Sequence, residues 1–180
     1  MVHLTRIYTK TGDDGTTGIA NNERVYKISP LIEAIGAVDE ANSAIGMSVE
    51  YYNDIIERIQ NDLFDLGAEL AGSDKFKITD DRIEYLEKVI DDYNEFLEPL
   101  RSFVLPTGSL HNARTVVRRA ERAVWMAIAI HNENDVQISK NIPKYLNRLS
   151  DLLFVMARYH NKDKEKLWVQ RREENDRQDS

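Results

Sequence analysis

Apolar side chains recur every three or four residues through five separate stretches of this chain, a period that only an amphipathic helix satisfies. The first seam, Leu31, Ile35, Val38, Ile45 and Val49, follows Ser29-Pro30, an N-cap with proline at the first helical position. A second runs Ile55, Ile59, Leu63, Leu66, Leu70 and stops at Gly72-Ser73-Asp74. The third starts after Thr79 as N-cap, continues Ile83, Leu86, Ile90, Tyr93, Leu97 and ends at Pro99. Leu110, Ala113, Val117, Ala120, Val124 and Ile128 form the fourth, and Leu146, Leu149, Leu153 and Met156, after Pro143, the fifth. Alternation of period two is absent beyond a short N-terminal strand. The expected architecture is all-α, an antiparallel five-helix bundle of four core helices plus one.

A chain of 180 residues, 42% of them hydrophobic, closes one core, so 1–180 reads as a single domain. Within it, 1–28 reads as an ordered Gly- and Thr-rich loop or short extended arm, 29–170 as the bundle, and 171–180 as a charged tail expected to fray. The formal charge of −7 sets the surface against nucleic acid and acidic membranes, so an anion site must be a local exception. Zero cysteines exclude disulfides, thiolate metal sites and cysteine nucleophiles, and suit a reducing compartment. The N-terminus has no apolar signal region and no stretch approaches the ~18 apolar residues of a membrane span, so a soluble, cytoplasmic protein is expected. None of His3, His111, His131 or His160 follows a Glu by three residues, and neither HExxH nor an EF-hand loop is present. No metal held by protein side chains is expected.

Two segments have the parts of an anion site. Thr9-Lys10-Thr11-Gly12-Asp13-Asp14-Gly15-Thr16-Thr17 combines glycines that let backbone N–H groups turn toward an anion, threonine hydroxyls and the charge of Lys10, with Lys27 as a second cation. The same residue types also build ordinary surface turns. In the fourth seam His111, Arg114, Arg118, Glu121 and Arg122 project opposite the apolar stripe, and guanidinium forks suit phosphate and carboxylate alike. A solvated face with Glu121 as local partner accounts for them equally. Asn147, Asp151 and Arg158 share a face in the fifth helix, where Asn147 is either a register-setting contact or a ligand hydrogen bond. Asn42, squarely in the first seam beside Asp39, reads as an interhelical hydrogen bond. Phe103, Trp125 and Trp168 read as packing residues.

In order along the chain, three blocks resemble the PduO-type ATP:cob(I)alamin adenosyltransferases: IYTKTGDDGTT with RVYK and EAIGAVDEANSAIG; FVLPTGS with LHNARTVVRRAERAVW; and KYLNRLSDLLFVMARY. The resemblance spans Thr5 to Tyr159 and implies a five-helix bundle assembled as a homotrimer with active sites at subunit interfaces. It implies that Thr9, Lys10, Thr11, Gly12, Asp13, Gly15 and Lys27 bind ATP, carried with Mg2+ held mainly by the phosphates. Arg118, Glu121 and Arg122 are implied to contact or position ATP, with Asn147 completing the pocket. Asp39 and Arg114 match a pair that bridges subunits at the site, and Phe103 matches an aromatic that packs beneath the corrin ring. The connection LPTGSLH is several residues shorter than the family's usual glycine-rich form, with Thr107 where glycine is common.

The resemblance further implies the reaction. Cobalt(I) of cob(I)alamin attacks the 5′ carbon of ATP, and adenosylcobalamin and triphosphate result. Partners are small-molecule substrates, an electron-donating reductase and an adenosylcobalamin-dependent acceptor enzyme. The alternative is a non-catalytic helical module that binds a nucleotide or an acidic partner through the Arg114, Arg118, Arg122 face.

Overall fold

A computed structural model of the chain describes residues 7–131 and 138–170. His3 and the tail from Arg171 to Ser180 lie outside the described residues. Five helices follow a small hairpin: α1 (Pro30–Gly46), α2 (Asp54–Leu70), α3 (Asp80–Asn94), α4 (Ser109–His131) and α5 (Asn141–His160). The hairpin pairs β1 (Thr16–Gly18) with β2 (Arg24–Tyr26) antiparallel, Thr17 opposite Val25. Its far end is tied to the C-terminus of α2, where the Ala20 N–H donates to the Ala71 carbonyl at 2.8 Å.

Helix α1 packs on α2 and α4, α4 on α5, and α5 on α3. The facing stripes of α1 and α4 are small: Ala34, Ala37, Ala41 and Ala44 against Ala113, Ala120 and Ala127, all buried. Small side chains let the two backbones approach and leave the volume to Ile45, Leu63, Leu66, Leu146 and Leu149, none more than 1% exposed. Each such side chain contributes about 1.5–3 kcal/mol by leaving water. One polar cluster crosses the core. Tyr145 of α5 donates its hydroxyl to Asp62 of α2 at 3.0 Å, and Arg82 of α3 bridges Asp62 and Asp65 at 3.0 and 2.7 Å.

Several expectations hold and several move. Ser29 caps α1, its Oγ accepting from the Ile32 N–H, with Pro30 opening the helix. Asn42 is the interhelical contact expected: its Nδ2 donates to the Gln60 carbonyl while Gln60 Nε2 donates to the Asn42 carbonyl. However, α1 stops at Gly46, and Val49 sits exposed in a one-turn 3-10 helix, so the first seam is shorter than its periodicity. Thr79 occupies the cap position of α3 without a side-chain hydrogen bond. That helix ends at Asn94, well before Pro99, because Phe96 and Leu97 donate back only three residues, to Tyr93 and Asn94. Helix α5 starts before Pro143, which fits the first turn because its missing N–H has no intrahelical acceptor there. The helices end at His160; the described residues beyond turn back on the α3–α4 connection, where Val104 and Leu167 form an antiparallel bridge. Phe103, Trp125 and Trp168 are 79%, 46% and 49% exposed and are not core residues.

Candidate active site

The N-terminal glycine-rich run is an ordered double turn, the loop expected of it. Asp13 donates its N–H to the Lys10 carbonyl and Gly15 to that of Gly12, with Lys10 (φ 61°) and Gly15 (φ 85°) in the left-handed region. A side chain at Gly15 would strain that backbone. Asp14 fixes the exit by accepting from the Thr16 N–H at 2.9 Å and the Thr16 hydroxyl at 2.7 Å, hydrogen bonds that hold its carboxyl below the usual range. Arg24, reaching across from β2, donates to the Thr11 carbonyl at 2.6 Å and to the Thr16 hydroxyl. No role was read for it in the sequence, although it opens the RVYK block; it stands opposite Gly18 in the hairpin. The N–H groups of Thr11 and Gly12 have no hydrogen-bond acceptor among the described residues, whereas that of Asp14 faces its own carboxylate. Lys27 reaches back over the turn, its Nζ 3.1 Å from where a Cβ on Gly12 would stand. Thr9, Lys10, Thr11, Asp13 and Lys27 are exposed, and the Thr9 and Thr11 hydroxyls hydrogen-bond at 2.9 Å. Backbone donors without acceptors beside an ammonium make a concavity for anions.

On α4 the cationic stripe divides. Arg119, one position off it, is ion-paired with Glu40 of α1. Arg118 and Arg122 are exposed and form no ion pair among the described residues; Arg122 Nη1 donates instead to the Arg118 carbonyl at 3.1 Å. Glu121, half-buried, forms no ion pair with either. Arg114 is half-buried, its Nε has no partner, and its guanidinium lies 5.9 Å from the centre of the Phe154 ring. Burial, then the charge of Arg118, lowers the Arg114 pKa. His111 was expected on this polar face, but it is buried at 3% exposure, edge-on to Phe154, with Nδ1 unpartnered. Burial, then the Arg114 charge, holds its pKa down, so the imidazole is neutral. A wheel places His111 correctly by angle; α5 covers the first turn of α4 and closes over it.

The remaining residues sit apart. Asp39 is exposed on α1, at the edge of a groove of about 410 Å³ between α1 and α2 that the hairpin residues Thr17, Gly18 and Ile19 roof. Asp39 forms no ion pair with Arg114 within the chain. Asn147 is half-buried on α5 and its Oδ1 accepts from Arg148, which is itself paired with Glu87 of α3 at 2.7 Å. Asp151 is exposed, whereas Arg158, expected to share its face, is buried and paired with Glu165 at 3.0 Å. Phe103 is exposed next to Trp168, ring centres 6.3 Å apart. No hydrogen bond or ion pair joins Lys10 or Lys27 to Arg118, Arg122 or Asn147 among the described residues. Nor do these residues hold three His, Asp or Glu positioned for a metal ion, and no helix is long and apolar enough to cross a membrane.

The bundle thus carries a turn with free backbone donors and an arginine stripe without carboxylate partners among the described residues, groups that can meet a small polyanion. The chain belongs to the cobalamin adenosyltransferase family, whose pattern it matches over residues 7–160. It is 47% identical to the corrinoid adenosyltransferase of Mycobacterium tuberculosis, over 93% of this chain and 94% of that one. It is 38% identical to the corrinoid adenosyltransferase of Bacillus subtilis, over 87% and 86% of the two chains. Among solved structures it resembles a variant of the PduO-type ATP:corrinoid adenosyltransferase of Lactobacillus reuteri complexed with cobalamin and ATP. The TM-score there is 0.78 at 34% identity, covering 93% of this chain and all of the other.

Proposed function

We propose that this protein transfers the 5′-deoxyadenosyl group of ATP to cobalt(I) of a corrinoid, with the site assembled between two subunits of a homotrimer. The observation that carries the reading is the selective pairing on α4: among the described residues Arg119 has a carboxylate partner, while Arg114, Arg118 and Arg122 have none. A merely solvated face gives no reason for that division, and an incoming triphosphate does. A site shared between subunits would bring the N-terminal turn and the stripe to one ligand, and it accounts for Asp39 and Arg114 having no ion-pair partner among the described residues.

In the reaction, the cobalt(I) electron pair forms the Co–C5′ bond as the C5′–O bond breaks, and the pair from that bond leaves on triphosphate. No protein nucleophile takes part. The chain orients the reactants and neutralises the leaving group. Lys10, Lys27 and the Thr11 and Gly12 N–H groups of one subunit meet the phosphates, and Arg118 and Arg122 of the next complete the clamp, with Glu121 and Asn147 positioning the nucleotide. Mg2+ enters on the phosphate oxygens. Phe103 offers the corrin an apolar face that excludes the lower axial ligand of cob(II)alamin and so eases its reduction. A separate reductase supplies the electron in the cytoplasm, and the product passes to an adenosylcobalamin-dependent enzyme.

Mixing inactive variants tests the shared site. Lys27→Ala and Arg118→Ala chains, each inactive alone, are unfolded and refolded together at equal amounts and assayed on cob(I)alamin. In a closed trimer about a quarter of the interfaces then pair two intact halves, so about a quarter of wild-type activity returns. A site built within one chain regains none.

A further inference from the structure

Arg158 stands outside every role assigned above, yet it is a buried cation with three hydrogen bonds at a junction of three segments. Its Nε donates to Glu165 Oε1 at 3.0 Å, and its Nη2 to Glu165 Oε2 at 3.4 Å and to the Glu98 carbonyl at 3.0 Å. Both side chains are largely shielded, Arg158 at 9% and Glu165 at 16% exposure. One guanidinium at the end of α5 thus holds the start of the returning C-terminal segment and the chain leading out of α3.

The two segments it holds then pair with one another. Leu105 donates its N–H to the Lys166 carbonyl at 2.8 Å, and Trp168 donates to the Phe103 carbonyl at 2.7 Å. The Ser102 hydroxyl donates to the Trp168 carbonyl at 2.8 Å. Asn161 Nδ2 reaches the Thr107 carbonyl at 3.5 Å. Phe103 itself has little beneath it: its ring is 79% exposed and meets Trp168 edge-on. A side chain so exposed takes its position from its backbone, and that backbone is pinned by the ladder rather than by the core.

We propose that Arg158 is a positioning residue for the corrinoid face: the Arg158–Glu165 latch holds the 103–105 and 166–168 ladder closed and so sets where Phe103 stands. The role rests on the function proposed above, and it places a determinant of corrinoid chemistry on a residue that touches no substrate. The latch is buried, so losing one partner leaves an uncompensated charge and opens the ladder, whereas α5 remains anchored by Leu149, Leu152, Leu153 and Met156.

Glu165→Gln and Arg158→Lys in the full chain test it, since both keep a polar partner and most of the volume. Three readouts are taken: hydrogen exchange at the Leu105 and Trp168 amides; turnover with prereduced cob(I)alamin against turnover from cob(II)alamin; and the spectrum of cob(II)alamin bound with ATP. The expected result is at least about tenfold faster exchange at both amides. Turnover from cob(II)alamin falls about tenfold while that from cob(I)alamin changes less than about twofold, with a smaller fraction of cob(II)alamin lacking its lower ligand. Wild-type protection of the two amides overturns the latch, and an unchanged ratio of the two turnovers with exchange raised overturns its role in positioning Phe103. A wild-type protein that transfers nothing to cob(I)alamin refutes the proposed function instead; the latch is then decided by exchange alone.

Discussion

Replacing Tyr145 by Phe deletes one oxygen from the core and has a pH-dependent cost whose sign the structure sets. The hydroxyl is wholly buried and donates to Asp62 Oδ2 at 3.0 Å. Burial raises the Asp62 pKa above its ordinary 3.8, opposed by the Tyr145 hydrogen bond and by the charges of Arg82 and Arg58. Without the hydroxyl one opposing influence is gone, and the pKa rises further. A carboxyl with a higher pKa folded than unfolded binds more protons in the native state, so stability declines as pH rises through the window between the two values. The cost in the variant is therefore larger where Asp62 is ionised, with one partner fewer, than where it has taken up its proton. Loss of a hydrogen bond to a charged group costs about 1.5–3 kcal/mol, which for a chain of this size lowers Tm by roughly 3–12 °C. Urea unfolding of wild type and variant at about pH 7.5 and about pH 5, at fixed protein concentration, measures both. A cost that is equal at the two pH values, or larger in acid, refutes the reasoning.

Three further outcomes follow from exposure and backbone geometry. Phe103→Ala leaves stability within about 0.5 kcal/mol of wild type by thermal melt, because the ring is exposed, and lowers turnover from cob(II)alamin far more than from prereduced cob(I)alamin. Arg118→Ala loses most activity while far-UV circular dichroism stays at the wild-type value, since its side chain lies outside the core; a fall in helicity contradicts this. Gly12→Ala brings a methyl group to 3.1 Å from both Lys27 Nζ and the Thr16 carbonyl, and calorimetry should show ATP affinity weaker on the order of tenfold.

Most of the fold is legible in the seams because each helix buries a stripe that its own periodicity marks. The Ser29 cap and the Asn42 contact were readable for the same reason: both are local or lie in a seam. What periodicity cannot see is what lies opposite a side chain. His111 and Arg158 each sit at the angle of a polar face, yet Phe154 covers one and the returning Glu165 neutralises the other. The end of α3 shows the same limit, since the tightened turn at Tyr93–Leu97 is met by Lys162, far along the chain, which donates to the Phe96 carbonyl at 3.2 Å. In the candidate site the glycines and Lys27 marked an anion-type turn by their residue types, whereas Arg24, inside the RVYK block, gave no sign by its own type that it ties that turn to the hairpin. The link between that nest and the α4 stripe was not legible either, because periodicity marks the face a helix buries and not what its exposed face meets.

The most direct measurement is an anaerobic assay in which chemically reduced cob(I)alamin is mixed with the full chain, ATP and Mg2+, and both products are identified. Loss of the cob(I)alamin absorption with one adenosylcobalamin and one intact triphosphate formed per ATP consumed is the predicted result. ATP that binds without any loss of cob(I)alamin, or that is cleaved to ADP and phosphate, contradicts adenosyl transfer and leaves a nucleotide-binding bundle in its place.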